Sequence, residues 1–182
     1  METTMKQIRR LFLLLCLIMV GAQSAWAQTS YNISICGVAI TSDNYQNISA
    51  EGGFPAVISG SVTFDPDTYT LTLNGATIST SVSETVGIYC NRMDQSYNPV
   101  AWNLVIEGAN SVSVTGNALQ STPGLTISGS GSIELNSTNY NGIYIDGRWQ
   151  TLNIQDCSVS AQGSMYGICR TILSIKFFWF LL

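Results

Sequence analysis

Beyond about residue 60 the chain is a succession of short stretches in which apolar and polar side chains alternate, each ended by Gly, Asn or Ser. One phrase runs LTLNGATI over Leu71 to Ile78, returns as LVIEGANSV over Leu104 to Val112 and as LTISGSGSI over Leu125 to Ile133, and a fourth copy, LNIQDCSV, spans Leu152 to Val159. A second phrase alternates with it: Gly87 to Tyr89, Asn117 to Leu119, Gly142 to Tyr144 and Gly167 to Cys169, with starts 30, 25 and 25 residues apart. The longer first interval holds the polar stretch 91–99, which reads as a loop inserted into one unit. Period-two alternation sends one set of side chains inward and the other outward. No helical periodicity intervenes, so each unit is three short strands joined by turns.

A unit of that size cannot bury its apolar side alone and has to stack on its neighbours. Stacking predicts three inward columns: Ile88, Ala118, Ile143 and Ile168; Leu73, Ile106, Ile127 and Ile154; and Ile78, Val112, Ile133 and Val159. The expected fold class is all-β, a right-handed parallel β-helix of about three to four short coils. An antiparallel β-sandwich is the alternative, since it too is built from short strands with Gly and Asn turns, but it gives no reason for the equal spacings. Segment 28–60 lacks the repeat and is expected to form an atypical β cap; 61–170 carries the repeats.

The two ends differ from this grammar. Lys6, Arg9 and Arg10 precede ten unbroken apolar residues, Leu11 to Val20, and then Ala25, Trp26 and Ala27. A basic start, an apolar stretch and an A-x-A ending predict a secretory signal peptide over 1–27. The apolar stretch is shorter than the roughly 20 residues a membrane span needs, so no permanent anchor is expected. The protein is therefore expected to be exported: secreted, periplasmic or at the cell surface. At the other end, nine of the twelve residues of the 171–182 tail are apolar. A stack that stops there leaves a strand edge open, so self-association is expected unless the tail covers it.

Charge narrows the partners. After residue 27 only Arg92, Arg148, Arg170 and Lys176 are basic against ten acidic side chains, a net charge of −6. Nucleic-acid binding needs a concentrated basic surface, which four scattered cations do not form. Cys36, Cys90, Cys157 and Cys169 remain after the leader, an even number that suits either structural disulfides or small buried thiols. They show no metal-knuckle spacing and the chain has no histidine, so neither a zinc site nor a histidine-assisted nucleophile is expected; no cofactor is expected either.

The GIY and L-x-I-x-G-x-x-S-[IV] phrases resemble the β-helical repeats of large secreted bacterial proteins with a pectate-lyase-like architecture, many of them labelled carbohydrate-binding. ICGVAITSD over Ile35 to Asp43 and VTFDPDTYTLTLNG over Val62 to Gly75 resemble the N-terminal portion of such proteins. The likeness spans about Tyr31 to Ile168 and implies a fold and a compartment more than an activity. The chain is expected to be a truncated member.

Enzymes on parallel β-helices need clustered carboxylates. The nearest approach to a cluster is Asp146, Gly147 and Arg148, with Asp156 one strand later. Asp-Gly is a strong turn dipeptide, and Asp156 falls where other copies carry Gly, which predicts a left-handed turn residue. The turn role is preferred. For binding, Tyr89 and Tyr144 are expected on equivalent outward positions with Leu119 between them, and Tyr140 and Trp149 nearby. An exposed aromatic row suits sugar rings, while packing against the wall or beneath the 91–99 loop is the competing role. The functional expectation is an exported, non-catalytic surface or secreted binding module with a glycan as ligand, in binding or adhesion. The alternatives are a polysaccharide lyase or hydrolase, and an incomplete N-terminal fragment of a longer repeat protein.

Overall fold

A computed structural model describes residues 28–147, 150–170 and 175–177. Residues 1–27, Arg148, Trp149 and most of the 171–182 tail lie outside the described residues, and with them the predicted signal peptide. Every regular element among those described is a strand: β1 (Ser30–Ile35), β2 (Val38–Thr41), β3 (Val57–Asp65), β4 (Thr70–Ser79), β5 (Ile88–Cys90), β6 (Trp102–Glu107), β7 (Ala109–Val114), β8 (Leu119–Ser121), β9 (Leu125–Ser128), β10 (Ser132–Ser137), β11 (Asn141–Ile145), β12 (Leu152–Gln155), β13 (Ser158–Gly163), β14 (Tyr166–Arg170) and β15 (Ile175–Phe177). The described residues are all-β, as the alternation predicts.

From β4 onward the strands pair in parallel and form three ladders. The first stacks β5, β8, β11 and β14. The second stacks the front half of β4 with β6, β9, β12 and β15. The third stacks the back half of β4 with β7, β10 and β13. One strand feeds two ladders because β4 bends at Gly75, whose φ of 59° is a left-handed value that glycine adopts without a Cβ penalty. Parallel pairing from β4 onward is what separates this arrangement from an antiparallel sandwich. Antiparallel pairing of strands is confined to the first ones, where β1 pairs with β2 and with β5 and β3 runs back along β4; a single isolated antiparallel bridge joins Met93 and Pro99 in the 91–99 loop.

Inward side chains of the ladders make one apolar core. Its columns keep the expected faces, but the registers correct the expected partners. In the first ladder Leu119, not Ala118, lies between Ile88 and Ile143, and Ile143 pairs with Ile168. In the second, Leu71, Leu104, Ile127 and Ile154 form the column, so Ile106 stacks on Leu73 but Ile127 does not. In the third, Ile78, Val112, Leu135 and Ala161 align, while Ile133 lies between Asn110 and Val159. The last two differences are slips of two residues, which leave every side chain on its own face.

Several polar groups inside this core are paired, although Asn141 Oδ1 is buried without a hydrogen-bond partner. Trp102 Nε1 donates to Ser121 Oγ at 2.9 Å, and that hydroxyl donates to Pro123 O at 2.8 Å. Asn110 Oδ1 accepts from Ala76 N at 2.8 Å, and its amide donates to Glu107 O at 2.9 Å and Ser132 O at 3.1 Å, tying three layers at one corner. Asn117 and Asn141 stack likewise, with Asn141 N and Nδ2 donating to Asn117 Oδ1 at 3.0 and 2.9 Å. Cys36, Cys90, Cys157 and Cys169 are free thiols; Cys90 is buried, and the other three are only partly buried.

Candidate functional site

The outward face of the first ladder carries two of the four residues expected to bind, Tyr89 and Tyr144. The register aligns Tyr89 with Gln120 and Gln120 with Tyr144, so the residue between the two tyrosines is Gln120. Leu119, expected there, points into the core and is fully buried. Ala118 is buried beside it, which is why the apolar pattern alone misplaces this strand by one residue. Both tyrosines are half-buried. Two strand steps place them roughly 9.6 Å apart, at about 4.8 Å per step. Tyr144 Oη donates to Asp146 Oδ1 at 2.9 Å, which ties that ring to the end of its own strand. Ser34 pairs with Tyr89 on the other side, so β1 continues the same surface.

A groove of about 410 Å³ opens at the Tyr89 end of this row, with Ser34, Cys36, Glu84, Thr85, Tyr89 and Gln120 among its lining residues. One wall is the turn after β1, where Cys36 N donates to Gly87 O at 2.8 Å. The other is the loop 80–86, stitched to the next layer by Thr115 Oγ1 donating to Val82 O at 2.6 Å and by Gly116 N donating to Thr85 O at 2.9 Å. Both walls are therefore held by backbone hydrogen bonds. Burial pushes the Cys36 thiol up to about 11, so it lines the groove as a neutral group. Tyr140 reaches the rim from the turn before β11, with its hydroxyl 3.4 Å from Glu84 Oε1. Trp149, the fourth residue expected here, lies outside the described residues.

The residues considered for catalysis fall apart differently. Asp146 is exposed directly after β11 and accepts from Tyr144. Asp156 is exposed at the corner between β12 and β13 and holds φ 55°, the left-handed turn conformation expected from its place in the repeat. Arg148 lies outside the described residues. Among the described residues no group of three or more His, Cys, Asp or Glu side chains is placed to hold a metal ion.

Residues that the repeat did not bring forward are Glu84, Ser34, Cys36 and Gln120. Gln120 follows from the correct register of β8. Glu84 and Cys36 sit in segments outside the repeated phrases, and no periodic signal marks them. Comparison with protein-family models, with curated proteins and with solved structures finds no match.

Proposed function

We propose that this chain is a right-handed parallel β-helix that is exported and binds a glycan on its first ladder, without cleaving it. The three parallel ladders, with a repeat of about 25 residues, support the helical winding, and right-handed crossovers are the rule between parallel strands. Export rests on the charged start, apolar stretch and A-x-A ending of residues 1–27. The observation that carries the ligand class is the row of Tyr89, Gln120 and Tyr144 on one outward face, beside a groove. Aromatic faces take the apolar side of a sugar ring, and an amide between them supplies a donor and an acceptor.

Affinity electrophoresis against immobilised neutral polysaccharides tests the reading. Retardation is expected for the mature chain, and the double variant Tyr89→Ala, Tyr144→Ala is expected to migrate freely while keeping its thermal midpoint within a few degrees. Binding indifferent to that double change returns both tyrosines to packing. The non-catalytic part has its own test: incubation with pectin-like polymers and calcium is expected to release no unsaturated sugars. Release that disappears in Asp146→Ala would make the protein a lyase.

A further inference from the structure

Among the described residues, Glu84 is the one carboxylate lining the groove beside Tyr89, and no lysine or arginine lines it. Its position is costly: φ is 57°, a left-handed value unfavourable for a side chain of this kind. The loop carrying it is nevertheless fastened on both sides, by Val82 O and Thr85 O accepting from Thr115 Oγ1 and Gly116 N. The side chain is exposed at the rim, and its contact with Tyr140 Oη at 3.4 Å is too long to use up its acceptor capacity. A carboxylate held this way accepts two hydrogen bonds from neighbouring donors on one ligand, and such charge-assisted bonds are stronger than neutral ones.

We infer that Glu84 determines specificity in this groove, which takes one non-acidic pyranose ring: adjacent ring hydroxyls donate to its two carboxylate oxygens while Tyr89 covers the apolar face of the ring. The same charge rejects uronic acids and sulfated sugars, for which the described lining residues offer no cation. The inference rests on the glycan reading of the tyrosine row and adds the class of sugar that the row admits.

Isothermal titration of the mature chain with cellohexaose, mannohexaose and xylohexaose, and with hexagalacturonate as the acidic probe, tests it at low and high salt. At least one neutral hexasaccharide is expected to bind and hexagalacturonate to be rejected. Glu84→Gln is expected to weaken neutral binding about tenfold, in line with the loss of a charge-assisted bond, and to narrow the gap to hexagalacturonate. Glu84→Asp keeps the charge and is expected to keep the rejection. Circular dichroism checks that each variant is folded. Neutral binding unchanged in Glu84→Gln but abolished by Tyr89→Ala, Tyr144→Ala would overturn the role of Glu84 and leave the tyrosine row standing. Equal binding of hexagalacturonate and neutral sugars by the unaltered chain would overturn the specificity outright. No binding of any of the four probes would bring down the glycan reading and this inference with it.

Discussion

Asn110 shows how much one buried side chain carries in a stacked fold. It occupies an inward slot in the column of Ile133 and Val159, where an apolar residue is the simple expectation, and is only 4% exposed. Its amide instead holds the corner by satisfying Ala76 N, Glu107 O and Ser132 O. Asn110→Ala strands those backbone groups in the core, so a loss of about 2–4 kcal/mol is expected in urea unfolding. Asn103→Ala, on an exposed outward position, is expected to change stability by no more than about 0.5 kcal/mol. The buried thiols predict the alkaline limb. Burial pushes Cys36 up to about 11 and Cys90 up to about 12, from an ordinary 9.0. The folded state thus holds these protons more tightly than the unfolded chain. Their contribution is fully present below about pH 9 and is lost as pH rises toward 11 and 12. Urea midpoints measured across that window are expected to fall, and to fall less steeply in the variant Cys36→Ala, Cys90→Ala; Tyr69, raised by burial to about 12, supplies part of the remaining slope.

At the scale of elements, strand identity and facing are legible in the sequence, while pairing partners are legible only in part. Period-two alternation marks Leu104, Ile106, Ile127 and Ile133 as inward, and all four are buried. It cannot choose between registers that differ by two, because both present the same face. Alignment of the repeated glycines sets Gly129 against Gly108, yet the backbone places Gly131 there: Ser132, the residue after Gly131, pairs with Ala109, the residue after Gly108, and Gly131 N donates to Ile106 O at 2.9 Å. A Cβ on Gly131 would overlap the backbone O and N of Gly108. Gly131→Ala is therefore expected to cost at least about 2 kcal/mol, and Ser130→Ala, one residue earlier and exposed, close to nothing. The same logic explains the candidate site. Tyr89 and Tyr144 were legible because they sit in the repeated phrase; Glu84 was not, because a loop residue brought in by its neighbours' backbone bonds carries no period.

For the whole molecule, burial is uneven along the stack. Ile143, Ile127 and Ile133 are at most 1% exposed, whereas Ile168, Ile154 and Val159, one layer on, are only partly buried, and Met165 and Tyr166 are 58% and 60% exposed. Among the described residues β13 pairs only with β10 and β14 only with β11. Edges of that kind accept further strands, and we propose that a second copy of the chain associates there. Size-exclusion chromatography over a range of protein concentrations is expected to show a dimer whose population falls in Val159→Lys. A monomer at every concentration would count against it.

The pairing distances have a further consequence, for the order in which the chain becomes a fold. Thr70 meets Asn103, Asn103 meets Thr126, Thr126 meets Asn153 and Asn153 meets Lys176, so each later strand of the second ladder finds its partner 33, 23, 27 and 23 residues behind it. A chain leaving a ribosome or a translocation channel amino end first always has the previous layer available as a template. Damage should then propagate in one direction: a lesion in β4 deprives every later layer of its foundation, while an equal lesion in β12 leaves the earlier ones intact.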